Sequence, residues 1–356
     1  MDHVVVRNHH GQSTRIRAGR FVLAAGGLET ARILLTSNDV ARSGVGNHSD
    51  CLGRYYQTHL FGCLTTVELE PGVTAHVAFD RDHDHDHDGV SCRRRIWFTP
   101  AQQEAARLLN TVFFLVRPPL GATGHRSALF SGVYLAKTLV AALRRPRQAL
   151  RYLRTEQTSI AAHSAVLIRQ FPSAIPEIYR AVVGRYIGSR RLPAVLPPDG
   201  LSVYHLQFQA EQVPNPHARV TLGEDVDEFG MRRLVVHPRT TAHDIESVIR
   251  CHGLLDERLR SAGLGRLRYD GGDLRDAVVR STEHVNSGAH HLGTTRMPDD
   301  PAFGVVDRDC RVHGVANLYV VGGSVMPTSG HANPTLTIVA LALRLGEHLA
   351  STSAAR

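Results

Sequence analysis

The chain has 356 residues, of which 42% are apolar and 21% charged, a composition that excludes a disordered or fibrous protein. It has 41 Lys and Arg against 33 Asp and Glu, a net charge of +8. The arginines are spread along the chain and form no basic arm, so no nucleic-acid partner is expected. Lys137 is the single lysine, which argues against Schiff-base catalysis. The length predicts two domains or one large domain.

The five cysteines are scattered and form no CxxC pair: Cys51, Cys63, Cys92, Cys251 and Cys310. No secretory leader is recognisable, so we expect neither a disulfide framework nor a zinc finger, and we predict a reducing, cytoplasmic location. No run of about 18 apolar residues occurs, so no transmembrane segment is predicted.

The first part of the chain predicts a strand, a glycine turn and a helix. Gly26 and Gly27 follow a strand-like run, and apolar residues then recur at helical spacing. Such a unit brings backbone N–H groups to a phosphate or ribose in α/β folds, although the same turn also serves simply to pack a helix on a sheet. The strand-like runs are Val4–Arg7, Thr14–Arg17 and Phe21–Ala24.

The middle of the chain carries two weaker patterns. Residues 83–88 alternate His and Asp, but i, i+2 spacing closes no coordination shell, so a solvated loop is favoured over a metal-binding protein and no metal site is predicted. Residues 133–154 predict two short basic amphipathic helices separated at Pro146. A helical insertion shielding the core of a substrate domain is favoured over weak contact with an anionic membrane surface.

Residues 201–263 predict a sheet edge followed by a long helix. Apolar and polar residues alternate strictly from Tyr204 to Glu211, which indicates a half-buried strand whose polar face either contacts hydroxyl-rich ligands or is solvated. Arg219–Leu222 and Leu234–Val236 predict two further strands. Thr241 and Asp244 resemble a capping box for a helix that ends at Gly263.

The last quarter of the chain concentrates the chemistry. The motif HHLGTTRM occupies residues 290–297, and a buried-type strand at Leu318–Val321 leads into Gly322, Gly323 and Ser324. These small residues let a backbone approach a pyrophosphate or ribityl chain. Asn333 and Pro334 predict the N-cap and first position of the final helix, whose positive end would face developing negative charge.

Four ordered stretches together resemble the glucose-methanol-choline (GMC) family of flavin-dependent oxidoreductases, and most closely its branch of sugar and polyol dehydrogenases, pyranose oxidase among the relatives. The stretches are RFVLAAGGLETARILL with GRYYQTH, EQVPNPHARVTL with the following helix, HHLGTTRM, and NLYVVGGSVMPT with ANPT. They extend over nearly the whole chain.

The resemblance implies FAD as cofactor and oxidation of a CH–OH group on a sugar, polyol or related alcohol, with hydride passing to flavin N5. His290 matches the first histidine of the family's HxxGTxRM motif and would accept the hydroxyl proton. Asn333 matches the asparagine of the NPT motif and would hydrogen-bond the same oxygen, or serve mainly as an N-cap. His291 and His331 are the less favoured alternatives for the base. The implied cofactor-binding residues are Ala25, Gly26, Gly322, Gly323, Ser324, Asn333, Pro334 and Thr335.

The sequence departs from the family pattern because it contains no GxGxxG turn, which in the family seats the ADP half of FAD. We therefore expect an α/β fold made of an incomplete, Rossmann-like FAD-binding domain lacking its N-terminal βαβ unit and an α+β substrate domain with a mixed or antiparallel sheet. The predicted ranges are 1–64 and 286–356 for the FAD-domain segments and 65–285 for the substrate-binding domain. A companion chain would carry the phosphate-binding loop; the alternative is a truncated, flavin-free and non-catalytic fragment.

Overall fold

The computed structural model describes residues 1–73, 75, 95–116, 121, 127–144, 159–187, 201–269, 272–283 and 290–354. The predicted His–Asp run at 83–88 and the predicted basic helix beyond Pro146 lie outside these residues. The strands are β1 (His3–Arg7), β2 (Ser13–Arg17), β3 (Phe21–Leu23), β4 (Leu60–Leu69), β5 (Ile96–Trp97), β6 (Thr111–Val116), β7 (Val203–Ala210), β8 (Arg219–Val226), β9 (Arg232–His237), β10 (Gly265–Tyr269) and β11 (Leu318–Val320). The helices are α1 (Gly26–Thr36), α2 (Pro100–Ala106), α3 (Ala128–Arg144), α4 (Ile160–Arg169), α5 (Phe171–Val182), α6 (Ala242–Ser261), α7 (Leu274–Glu283) and α8 (Thr335–Ala354).

The two ends of the chain meet in one layer. Strands β3 and β11 pair in parallel, with Leu318 opposite Phe21 and Val320 opposite Leu23. Helix α1 follows β3 directly, and its buried Ala31 and Leu34 join the same apolar cluster as both strands. Helix α1, which follows the first glycine turn, therefore packs in one layer with the strand that leads into Gly322. Because parallel strands end at the same sheet edge, their glycine turns lie side by side.

The β8–β9 hairpin packs against α1. Its Val220 and Leu234 belong to the apolar cluster of β3 and β11. Arg32 of α1 donates to Asp227 Oδ2 at 2.6 Å and to the Met231 carbonyl at 2.9 Å. The hairpin therefore contacts the β3–β11 layer although its residues fall within the range predicted for the substrate-binding domain, and the division into domains stays a prediction.

A five-stranded antiparallel sheet in the order β10-β4-β7-β6-β5 forms the second layer. The predicted alternation on β7 is present, with Tyr204, Leu206, Phe208 and Ala210 buried. The prediction of a sheet edge here was wrong, because β7 is the central strand and pairs with β4 and β6. An antiparallel sheet can bury one face and leave the other open, so alternation alone does not distinguish a central strand from an edge strand.

Helix α6 covers the closed face of this sheet. The predicted capping box is present: Asp244 N–H donates to Thr241 Oγ1 at 3.1 Å, and Thr241 N–H donates to Asp244 Oδ2 at 2.6 Å. The helix ends at Ser261, and Gly263 follows in the left-handed region. Its Val248 and Leu255 pack in one cluster with β7, which leaves the opposite face of the sheet available to a site.

The first predicted basic helix of the middle region corresponds to α3, which ends at Arg144. Across the helices in the described ranges, none has both the length and the apolar character needed to cross a bilayer.

Candidate active site

The residues of HHLGTTRM lie between two other motif segments and are hydrogen-bonded to both. Gln57 and Leu292 exchange backbone hydrogen bonds of 3.1 and 2.9 Å. On the other side, the N–H groups of Thr295 and Met297 donate to the carbonyls of Ser324 and Val325, each at 2.9 Å. Three segments far apart in sequence, GRYYQTH, HHLGTTRM and GGSVMPT, therefore run side by side.

Two glycines permit this close backbone packing. A Cβ on Gly27 would lie 2.0 Å from the His291 carbonyl oxygen, and one on Gly293 would lie 2.1 Å from the Tyr55 carbonyl oxygen. No other residue fits at either position without moving the backbone. The start of α1 is thus held directly against the residue that follows His290.

Two of the predicted cofactor-binding residues, Gly26 and Gly322, leave an open space at the shared end of β3 and β11, which we call the glycine cradle. Gly26 (φ +82°) and Gly322 (φ +143°) have no atom within 4 Å of where a Cβ would stand. Near them, the buried Thr30 Oγ1 and Ser324 Oγ have no hydrogen-bond partner among the described residues. Open space beside backbone N–H groups and unpaired hydroxyls fits a ligand that carries hydroxyls or phosphates. Ala25 directly precedes Gly26, and Gly323 follows Gly322 but is closely packed, because a Cβ there would lie 2.7 Å from Leu292 Cδ2.

His290 lies beside a second, buried imidazole. The rings of His290 and His59 meet edge to face with centroids 4.9 Å apart, and His59 is 2% exposed. Burial, together with the neighbouring His290 and His331, lowers the pKa of His59 to about 4, although a hydrogen bond with the Gly330 backbone acts in the opposite direction. Burial also lowers the pKa of His290. His290 has a backbone φ of +71°, a region that non-glycine residues rarely adopt and that is frequent at functional sites.

His291 is held by a neighbouring tyrosine. Its Nδ1 lies 2.8 Å from the Tyr56 hydroxyl, and the two rings stack with centroids 5.8 Å apart. Burial lowers the pKa of His291, and His290 adds to the shift. These contacts give His291 a structural role in fixing the backbone next to His290.

His331 lies close to the open face of the five-stranded sheet. Its ring is 5.9 Å from the ring of Trp97 on β5. Burial is the main reason that its pKa is lowered; Arg95 lowers it further, and Glu211 acts in the opposite direction. The same arrangement brings His331 close enough to His59 to lower the pKa of that buried imidazole.

Asn333 is tied to the central strand of the sheet. Gln209 Nε2 donates to the His331 carbonyl at 2.8 Å and to Asn333 Oδ1 at 3.4 Å. Asn333 does not occupy the predicted N-cap position: α8 begins at Thr335, and the Pro334 carbonyl accepts the first helical hydrogen bond from Ile338 N–H at 2.9 Å. The prediction of Pro334 as the first helical residue was wrong by one position, a common offset at helix ends.

Sequence reasoning missed three residues of this arrangement: His59, Trp97 and Gln209. Two of them carried a usable signal, because His59 ends the quoted stretch GRYYQTH and Gln209 lies on the predicted polar face of β7. Trp97 lies on a two-residue strand, too short to show any periodicity. Among the described residues, no group of three or more His, Cys, Asp or Glu is arranged to hold a metal ion.

Comparison with known proteins finds a family whose model matches part of the chain. A family model described as GMC oxidoreductase matches residues 214–342. The chain is 39% identical over 142 residues to 6'''-hydroxyparomomycin C oxidase of Streptomyces lividus, which covers 40% of this chain and 24% of that protein. It is 26% identical over 344 residues to the fructose dehydrogenase large subunit of Gluconobacter japonicus, covering 94% of this chain and 48% of that one. Pyranose 2-oxidase of Tricholoma matsutake is 30% identical over 138 residues, which cover 39% and 23% of the two chains.

Among solved structures, pyridoxine 4-oxidase from Mesorbium loti superimposes with a TM-score of 0.51 at 18% identity, covering 98% of this chain and 54% of that one. At this identity the likeness concerns the fold alone. The chain spans about a quarter to a half of the length of the relatives named above. It therefore has an α/β fold similar to that of the GMC oxidoreductases, and its residues 214–342 match the model of that family.

Proposed function

We propose that the chain provides the catalytic and substrate-facing part of an FAD-dependent oxidoreductase that acts on CH–OH groups of sugars, polyols or related alcohols. The observations that carry the proposal are that His290 and His331 both lie close to the buried His59, and that Gln209 ties His331 to Asn333. In addition, the His291 backbone packs on Gly27, directly after the open space at Gly26. The relatives' names support the donor class, since they include a fructose dehydrogenase large subunit, a pyranose 2-oxidase and a 6'''-hydroxyparomomycin C oxidase.

The cradle is suited to FAD. The backbone N–H groups of Gly26, Gly322 and Gly323 would approach the ribityl and pyrophosphate portion, and the unpaired hydroxyls of Thr30 and Ser324 would hydrogen-bond to it. Ala25, Asn333, Pro334 and Thr335 would line the remaining part of the site. When bound, FAD supplies the acceptor of the hydride that leaves the alcohol carbon.

The proton of the alcohol would pass to His290. Burial lowers its pKa, so the imidazole is neutral at neutral pH and able to accept a proton at hydrogen-bond distance. His59, with a pKa of about 4, stays neutral under the same conditions. It therefore neither takes up the proton itself nor opposes the positive charge that forms on His290.

Asn333 would hold the substrate oxygen through its amide nitrogen. Gln209 donates to Asn333 Oδ1, which leaves the two N–H donors of Nδ2 for a ligand oxygen. A donor aimed at the alcohol oxygen stabilises the negative charge that develops there as the proton leaves. His290 and Asn333 thus have complementary roles toward one oxygen atom.

A companion segment would seat the phosphates of FAD, because these 356 residues contain no GxGxxG turn. The name of the fructose dehydrogenase large subunit says that this relative is one subunit of an assembly, which supports a partner chain here. The alternative is a flavin-free, non-catalytic fragment. Measuring bound flavin distinguishes the two.

The test is to reconstitute the chain with FAD and a GxGxxG-bearing companion segment, and to follow flavin absorbance when sugars and polyols are added without an electron acceptor. We expect bleaching with a subset of these donors and none with the corresponding deoxy compounds. Failure to retain FAD with any companion would favour the flavin-free alternative.

A further inference from the structure

Helix α5 exposes an unusually continuous apolar face. Phe171, Ile175, Ile178, Tyr179 and Val182 are between 41% and 68% exposed. Their spacing of i, i+4, i+7, i+8 and i+11 places them on one side of the helix, and we call them the α5 face. Exposed Tyr186 and Ile187 follow in the π-helical turn Val183–Ile187. Two of the five residues are aromatic, as is frequent where helices meet a membrane interface.

The helices next to α5 share this character. Helix α3 contacts both α4 and α5, and it exposes Leu139 and Val140. Helix α4 exposes Ile160 and Ile168. Single exposed apolar residues are normal on a soluble protein, but an accumulation of this kind marks an interaction surface. The predicted role of this region, a helical insertion that shields the core of a substrate domain, does not explain why so many apolar residues are exposed.

The net positive charge of the chain is concentrated in the same part of the sequence. Residues 128–191 contain eleven Lys and Arg and two Glu, a net charge of +9, whereas the rest of the chain has 30 Lys and Arg against 31 Asp and Glu. The arginines are spread along the chain, but the acidic residues that balance them elsewhere are scarce here. Lys137 of α3 and Arg169 of α4 are exposed members of this set.

We propose that the α5 face docks on an anionic lipid surface, with the helix lying in the plane of the interface. Apolar and aromatic side chains would enter the boundary between headgroups and acyl chains, and the net positive charge of residues 128–191 would attract the negative headgroups. Charge complementarity selects an anionic surface, and the aromatic and apolar side chains of the α5 face suit the boundary between headgroups and acyl chains. The docking does not depend on the proposed oxidoreductase activity.

The experiment is co-sedimentation of the full chain with vesicles of phosphatidylcholine alone or of phosphatidylcholine mixed with phosphatidylglycerol. We expect binding to the mixed vesicles, little binding to phosphatidylcholine alone, and release as salt is raised, because screening weakens attraction between basic side chains and headgroups. Phe171→Ser and Tyr179→Ser should each lower the partition coefficient by about tenfold, since each removes a large apolar group from the interface.

A matched control separates the α5 face from general surface hydrophobicity. Phe303 is 60% exposed and Phe171 is 61% exposed. Phe303 lies outside the basic residues 128–191 and follows two acidic residues in the sequence, Asp299 and Asp300. Phe303→Ser should leave vesicle binding unchanged. The proposal is overturned if mixed vesicles do not bind the wild-type chain, if binding is equal with and without phosphatidylglycerol, or if Phe303→Ser weakens binding as much as Phe171→Ser. Concentration-dependent self-association that Phe171→Ser abolishes, without vesicle binding, would likewise overturn it in favour of a protein partner.

Discussion

Gln209 connects the substrate sheet to the loop that carries His331 and Asn333. Its single amide group donates to the His331 carbonyl and to Asn333 Oδ1. The second bond fixes which side of the Asn333 amide faces away from the sheet. The orientation of one side chain on β7 therefore decides whether Asn333 offers a ligand its N–H donors or its carbonyl oxygen.

Replacing Gln209 by Leu should disorder the Asn333 amide and slow flavin reduction in the reconstituted protein by about tenfold, the scale of one or two lost hydrogen bonds. Rapid mixing with a reactive alcohol measures this rate. Gln207→Leu is the control, because Gln207 lies two residues away on the same face of β7. If Gln209→Leu and the wild type have equal limiting rates of flavin reduction, Gln209 does not orient the Asn333 amide.

At the level of single residues, the sequence identifies motif histidines but not how they are arranged. His290, His291 and His331 are all visible in motif stretches, yet nothing in the sequence says that His291 is held by Tyr56 or that His331 faces Trp97. Those contacts join residues separated by more than 200 positions. They depend on tertiary packing, which local pattern does not encode.

At the scale of an element, α6 carries a buried histidine inside an apolar core. His252 is fully buried, and its Nδ1 lies 2.8 Å from the Val248 carbonyl. Phe113 and Phe208 surround the ring edge to face. Burial lowers the pKa of His252 to about 4, because no counter-charge offsets the loss of hydration.

This makes the sheet layer sensitive to acid. The folded-state pKa of His252 lies below the unfolded value, so the unfolded chain takes up the proton first. The contribution of neutral His252 to the free energy of unfolding is fully present above about pH 6.5. It falls by about 1.4 kcal/mol per pH unit as the pH drops from 6.5 toward 4. His59 contributes in the same direction, since its pKa is also lowered to about 4.

His252→Leu should therefore flatten the decline in unfolding free energy between pH 6.5 and 4 by about 1.4 kcal/mol per pH unit. Chemical denaturation at several pH values measures it. His243→Leu is the control, because His243 lies on the same helix and is exposed. If both variants keep the wild-type slope, protonation of His252 does not limit acid stability.

Secondary-structure elements could be predicted where the pattern that indicates them lies in neighbouring residues. The capping box at Thr241 and the alternation along β7 follow from neighbouring residues, and the structure confirms both. The position of β7 in the centre of its sheet was not predictable, because it depends on pairing with β4 and β6, which lie about 90 or more residues away in sequence.

At the scale of the whole molecule, the parallel pairing of β3 with β11 creates the glycine cradle. The two strands are about 300 residues apart, and each brings a glycine of positive φ to the same edge. The paired sequence signals of strand, glycine turn and helix predicted this meeting. The open space beside the glycines depends on the packed backbone, so no sequence pattern gives it.

A side chain at Gly26 should weaken FAD binding in the reconstituted protein. Gly26→Ala adds a methyl group inside the cradle and also strains a backbone at φ +82°. Gly11→Ala provides the control, because Gly11 has φ +77° and open space around it but lies in the β1–β2 turn. Both variants should lose about 1 kcal/mol of stability from the strain, but only Gly26→Ala should raise the Kd for FAD, measured by titration. Equal Kd values would argue against the cradle as a flavin site.

The amount of flavin bound to the purified chain tests whether a companion segment is needed. Without a companion segment, the purified 356-residue chain should carry little or no FAD, because its sequence lacks the turn that seats the ADP half. Absorbance of the purified protein gives the answer. Stoichiometric flavin on the isolated chain would show that other residues hold the phosphates.

Rapid-mixing measurement of flavin reduction in reconstituted His290→Ala tests whether His290 accepts the proton of the alcohol. We expect a rate about 100-fold to 10,000-fold below the wild type, the usual contribution of a general base, with FAD binding nearly unchanged. His331→Ala should be much milder. Wild-type reduction in His290→Ala together with a severe loss in His331→Ala would contradict the account and assign the base to His331.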